Sequence, residues 1–420
     1  MINSLVRKSF KILLGRGIVS FFTLLFTIYF AYELPKSIFA LIALYDVVIS
    51  LSKVISDVGL HYFVLREAPP LYYSDKKNQA IGKIILPSII IRLVASIFVC
   101  LLYWLLIFSY GGYLYTEFPD LNINYIAFIT VFHLLIENIQ SILIPVFAVQ
   151  QRFGTNSFLE SSTILIENFL ALSLYIMFGM NQYFLGLLIG QFIILVIRLF
   201  YIKEIFRVKR DFLASWKDML TIIRDYLPFY IRKFFRIGFI QGEQMIIAAL
   251  LPLAQLANYN LAKKCSSFLK DYQSAFIDPL TIKLAKTGNL GFRQQYIKTY
   301  LWFTLPLPLV LAVASPWIMP IVGGSKYADS WLILCILYLS YIFLALSSLQ
   351  LTILTIFGKK TDALMRDATG GTIGLAVTLL LVYTFKEYGI AWGQMVSYMI
   401  LAFLGYKLSR KYLHQDVDAK

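Results

Sequence analysis

The sequence predicts an all-α polytopic membrane protein of about twelve transmembrane helices in two pseudo-symmetric six-helix lobes, with both termini cytoplasmic. Three observations predict it. Hydrophobic residues fill 59% of the 420 positions and charged residues only 15%, with a mean hydropathy of +0.72. That leaves too little polar surface to cover a soluble core, so the apolar surplus faces lipid. Apolar runs of about 20 residues, the length of a helix across a bilayer, recur with short gaps. Lys and Arg gather in every second gap, as the positive-inside rule demands.

The runs cover residues 12–32, 37–63, 84–108, 122–149, 158–180 and 183–202. After a polar stretch they resume at 227–250, 254–284, 300–321, 331–356, 370–385 and 390–409. Strands are not expected, because a membrane barrel alternates apolar and polar residues. The first run is too long for the core of a cleaved signal peptide and reads as a retained anchor. Basic groups such as Arg7, Lys8 and Lys11, or Lys203, Arg207, Lys209 and Arg210, fall on one side. The opposite loops hold Lys36, Lys326 and Lys386. The net charge of +15 is therefore a topology signal and not a nucleic-acid surface. Cys100, Cys265 and Cys335 all lie in apolar runs, which supports neither a disulfide scaffold nor a zinc cluster, and no cofactor is expected.

The longest basic segment divides the chain into an N-terminal lobe (1–205), a cytoplasmic linker (206–225) and a C-terminal lobe (226–420). A repeat crosses that divide. Leu34-Pro35 recurs as Leu251-Pro252, an offset of 217. At the same offset Asp46, Ser50, Lys53, Asp57 and His61 align with Lys263, Ser267, Lys270, Ser274 and Asp278, each set on one helical face. Phe153-Gly154 and Phe357-Gly358 repeat more loosely.

A charge at the bilayer centre costs at least about 2.5–3.5 kcal/mol, so it faces a cavity or a partner. One reading is a hydrated cavity whose cations Arg16, Lys53, Arg232, Arg236, Lys263 and Lys270 bind an anionic headgroup. The competing reading pairs Asp46 with Lys53 and Glu243 with Arg236, and lets Arg16, Arg92, Arg198 and Lys233 snorkel to the interface. Candidates for ion or proton coupling are Asp46, Asp57, His133, Glu137 and Glu243, with Glu160 and Glu167 a weaker version on the fifth helix. The aromatic run Tyr110 to Tyr115 is placed in an outside loop, as an interfacial belt or a sugar platform. No Walker A, H-E-x-x-H or G-x-S-x-G arrangement occurs, and no outside loop is long enough for a catalytic domain, so no enzymatic activity is expected.

Short matches accompany this topology: Ser56-Asp57-Val58-Gly59-Leu60 followed by Val64-Leu65-Arg66-Glu67, then Gln151-Arg152-Phe153-Gly154, Asn258-Tyr259-Asn260-Leu261-Ala262-Lys263 and Asp278-Pro279-Leu280. With them the chain resembles the polysaccharide transporter (O-antigen flippase, Wzx-like) family of the MOP superfamily. The resemblance implies a bacterial inner-membrane flippase moving undecaprenyl-pyrophosphate-linked oligosaccharide by alternating access, coupled to H+ or Na+. Its implied surroundings are membrane lipids, with a polysaccharide polymerase and a chain-length regulator as further partners. Two alternatives stay open: a multidrug or organic-cation exporter of the same superfamily, and a non-transporting membrane subunit of a polysaccharide assembly complex.

Overall fold

Every apolar run of the sequence is helical over most of its length in the computed structural model, which describes residues 2–74, 76–150, 152–203, 214–287, 290–356 and 359–410. In chain order the helices are α1 (Ile2–Glu33), α2 (Lys36–Ile55), α3 (Leu60–Tyr72), α4 (Lys77–Ala80), α5 (Leu86–Glu117), α6 (Ile123–Val149) and α7 (Phe153–Phe178). They continue as α8 (Met180–Tyr201), α9 (Trp216–Leu250), α10 (Leu253–Thr287), α11 (Leu290–Thr304), α12 (Pro306–Gly323), α13 (Trp331–Ile356) and α14 (Lys360–Ser409). Among the described residues there is no strand. Among the described residues eight helical stretches are long and apolar enough to cross a membrane, and the chain is a multi-span membrane protein. The charge-bearing α9 and α10 fall outside those eight, and α1 qualifies only as the shorter apolar helix Gly17–Glu33.

Two compact units are present, one of Met1–Leu44 with Gly238–Lys420 and one of Tyr45–Ile237. Their boundaries fall inside α2 and α9.

In the unit Tyr45–Ile237, α5 shows how an apolar helix chooses its faces in lipid. Ser88, Ile89, Arg92, Ser96, Val99 and Cys100 are buried along one side. Val94, Ile97, Phe98, Leu101, Leu105 and Phe108 are exposed along the other. Large apolar side chains have no reason to avoid hydrocarbon, so the polar atoms decide which face turns inward. The helix continues to Glu117 and stops before Pro119, which corrects the expectation of an outside loop over residues 110–115. At the start of α9, Ser215 and Asp218 cap the helix reciprocally, with Ser215 N–H and hydroxyl both donating to Asp218 Oδ2 at 2.9 Å. Those two donors hold the Asp218 carboxyl below its ordinary value, so the cap persists until acid reaches that lowered range.

Glycine sets the helix pairs. Between α7 and α8, Gly179 adopts φ 83°, and the helices return antiparallel with Gly186 against Ala171 and Gly190 against Glu167. A Cβ on Gly186 would stand 2.5 Å from the Ala171 Cα. In the other unit α14 holds 50 residues, about 75 Å if straight, more than twice a bilayer core. It is broken at Lys386 (φ 54°, ψ −131°), and the two arms meet through Gly393 against Thr378 and Gly370 against Leu401. The eleventh and twelfth expected helices are these two arms.

Also in that unit, α1 packs on α10. Its C-terminal carbonyls, freed by the break at Pro35, are taken up by a lysine. Lys326 Nζ donates to the Tyr32 carbonyl at 2.7 Å and to the Leu34 carbonyl at 2.9 Å. Lys36 Nζ donates to Asn258 Oδ1 at 2.8 Å, and the Tyr32 hydroxyl donates to the Ile321 carbonyl at 2.9 Å.

Candidate functional site

The polar stripe expected along the second helix is interrupted. Helix α2 ends at Ile55, and Val58 (φ 46°) and Gly59 (φ 79°) reverse the backbone before α3. Gly59 is required there twice over, because of its φ and because a Cβ would lie 2.6 Å from the Tyr226 carbonyl oxygen. Asp46 and Lys53 therefore stay on α2, whereas Asp57 turns inward at the break.

Asp57 meets Arg92 there. The guanidinium Nη1 donates to Asp57 Oδ1 at 2.7 Å, and Nη2 donates to the Lys53 carbonyl at 2.8 Å and to Ser141. Arg92 is 1% exposed and Asp57 2%. This corrects the expectation that Arg92 snorkels: its reach is spent on a buried carboxylate and on a carbonyl that the end of α2 leaves unpaired. Arg198 is buried as well, donating to the Gln140 carbonyl at 3.3 Å. Gln140 in turn donates to Gln191 Oε1 at 2.6 Å across α6 and α8.

Lys53 does not pair with Asp46. Its ammonium forms an ion pair with Glu137 on α6, and its side chain stays 38% exposed against 14% for the carboxylate. Asp46 is exposed on the same helix. His133, one turn before Glu137, is buried with Nδ1 hydrogen-bonded to the hydroxyl of buried Tyr45. Glu167 joins from α7, so that His133, Glu137 and Glu167 present atoms within 4.8 Å of one another, close enough to share one proton or one small cation. Sequence reasoning ranked Glu167 lower and missed Tyr45, because both reach the cluster through α6 packing, which no local spacing encodes.

The unit Met1–Leu44 with Gly238–Lys420 has its own polar cluster. Glu243 on α9 is buried, and the Tyr259 hydroxyl lies 2.7 Å from its Oε2 and 3.0 Å from Gln394 Oε1. Lys263 Nζ stands 3.9 Å from the same Glu243 oxygen and donates to Gln244 Oε1 at 3.3 Å. Gln244 donates onward to Asn260 Oδ1 at 3.1 Å. Lys270 is exposed, two turns along α10, and the next residue, Asp271, accepts from Ser20 on α1 at 3.1 Å. Tyr259 sits one turn before Lys263, a spacing that could have flagged it, whereas Gln394 arrives from the distant arm of α14. The side chains of Arg16, Arg232, Lys233, Arg236 and Asp278 lie outside the described residues.

Buried polar groups in both units are thus arranged as carboxylates that hold a lysine and an aromatic hydroxyl or imidazole.

Comparison with known proteins extends this picture. A family model described as Polysaccharide biosynthesis protein matches residues 5–277. No curated protein sequence matches. Among solved structures the chain is similar to the lipid II flippase MurJ in an inward closed conformation, with TM-score 0.73, 14% identity, and 95% of this chain and 87% of that one covered. It is similar to an inward-facing multidrug resistance MATE family transporter of the MOP superfamily, with TM-score 0.70, 13% identity and 94% of each chain covered. It is also similar to a MOP superfamily transporter from Pyrococcus furiosus, reported with a binding pocket of reverse polarity suggesting a different function (TM-score 0.66, 12% identity, 97% and 95% covered). At these identities the likeness establishes the fold.

Proposed function

The chain belongs to the polysaccharide biosynthesis protein family, and from that premise we propose that it is a flippase for a lipid-linked oligosaccharide carried on undecaprenyl pyrophosphate. It acts in the bacterial inner membrane by alternating access and is coupled to an ion. The observation that carries this reading is the state of Lys53. Its ammonium is held within a span by one carboxylate on the neighbouring helix, yet 38% of the side chain remains exposed. A cation paired inside the membrane and still reachable is suited to an anionic headgroup. Lys263 repeats the arrangement with Glu243 in the other unit. The likeness in fold to a lipid II flippase supports the substrate class.

The organic-cation exporter alternative asks for reachable carboxylates. Glu243 is buried and Glu137 is covered by Lys53, so within these two clusters the reachable charge is a lysine, and Asp46 is the exposed carboxylate on α2 that such an exporter would have to use. Arg92 and Asp57 neutralise one another in the interior and take no part in transport. Coupling falls to Glu137, His133 and Glu243, whose surroundings hold exchangeable partners.

Complementation of a strain lacking its oligosaccharide flippase tests the proposal. The wild-type gene is expected to restore surface glycan, and Lys53→Ala combined with Lys263→Ala to lower it at least tenfold at equal membrane abundance. Normal glycan in the double variant would overturn the cationic-site reading.

A further inference from the structure

Lys53 stands beside a cluster that holds two carboxylates. Glu137 on α6 receives its ammonium directly. Glu167 on α7 comes into the same cluster because Gly190 on α8 has no side chain: a Cβ there would stand 2.7 Å from the Glu167 Cα and 2.9 Å from its Cγ. Glu167 Oε1 is buried without a hydrogen-bond partner. The other charged and phenolic groups around the cluster are fixed elsewhere or have the wrong sign. Arg92 on α5 is bound to Asp57, and Arg198 on α8 to the Gln140 carbonyl. Tyr45 on α2 is bound to His133, and Tyr183 on α8 lies buried nearby. Asp46 on α2 and Glu160 on α7 add only negative charge. Among these groups Lys53 alone combines a positive charge with exposure and a single carboxylate partner.

We infer that an anionic headgroup draws Lys53 away from Glu137, and that the Glu137–Glu167–His133 cluster then takes up a proton from water. This deepens the reading of Lys53 as an anion-binding residue and rests on it. Once its ammonium is gone, the Glu137 carboxylate, left beside Glu167 in apolar surroundings, favours its protonated form. A proton leaving solvent converts one carboxylate to a carboxylic acid, whose O–H then donates to the remaining carboxylate or to His133, and charge is restored. Glycine at position 190 is part of the device, because it admits the second carboxylate. Binding of anion and proton are then reciprocal, so each favours the other. With one proton linked, anion affinity rises about tenfold for each unit the pH falls through the coupled range.

The test is calorimetric titration of farnesyl pyrophosphate into the purified full-length protein, in two buffers of different ionisation enthalpy at one pH. The wild type is expected to take up about one more proton per bound ligand than Glu167→Gln, with Glu137→Gln giving the same deficit. Lys53→Gln is expected to lose binding, and Lys53→Arg to keep both binding and proton uptake. Infrared difference spectra of the wild type provide a second readout, a protonated-carboxyl band appearing on ligand addition, which needs no variant to fold. Equal proton uptake in the wild type and Glu167→Gln, with no such band, would overturn the inference while leaving the anion site intact. Unchanged binding in Lys53→Gln would instead overturn the reading beneath it.

Discussion

Arg92 and Asp57 show what a buried charge pair costs and what it fixes. The pair lies where α2 ends, so one guanidinium satisfies a carboxylate, a serine hydroxyl and an orphan helix carbonyl. Removing one partner strands the other in an apolar interior, for about 3–5 kcal/mol. Arg92→Leu is therefore expected to lower the thermal midpoint in detergent sharply, and Arg92→Leu with Asp57→Leu to recover much of the loss. A single variant as stable as wild type would show that the pair is not closed in solution. Of the residues nominated from sequence, Lys53, Glu137 and His133 do gather in one cluster with Glu167. The grouping was only partly legible, since i, i+4 spacing joins His133 to Glu137 but says nothing of which helices oppose them.

At the scale of elements, glycine positions decide which helices pair closely and where they reverse. Gly393 lies against Thr378 so tightly that a Cβ would stand 2.8 Å from the Thr378 Cα, whereas a Cβ on Gly17 would meet nothing within 4 Å. Gly393→Val is thus expected to destabilise the α14 hairpin by about 1–3 kcal/mol through overpacking. Gly17→Ala is expected to be neutral or to stabilise by up to about 1 kcal/mol. Thermal unfolding of the two variants side by side checks both, and equal midpoints would contradict the packing. Gly59 combines a positive φ with a close approach to the Tyr226 carbonyl, and this is why a stripe that reads as one continuous face bends away after Ile55. Periodicity alone treats the chain as straight. The expectation of a loop after residue 108 failed for the opposite reason: Tyr, Gly and Ser suggest a turn, but the first hard stop is Pro119.

For the whole molecule, the membrane class follows from composition, and the run count places linker and C-terminus on one side. Reporter fusions within 206–225 and after Lys420 are both expected to report cytoplasm, since six helices return the chain to its starting side. Phosphatase activity at either position would overturn the twelve-span topology. Within one packing unit the first helix lies on α10 through contacts such as Ser20 with Asp271.

Sequence by itself determined the helical membrane class, the positions of nearly all the helices and the identity of the costly intramembrane charges. These follow from hydropathy over about 20 residues and from local spacing, both of which are properties of short stretches. Tertiary structure decided which charge meets which: Lys53 with Glu137 and not Asp46, Arg92 with Asp57 and not the interface, Glu243 with Tyr259 and Lys263. The physical reason is that helix partners in lipid are selected by small residues and polar contacts between distant segments, and no window along one helix contains that information.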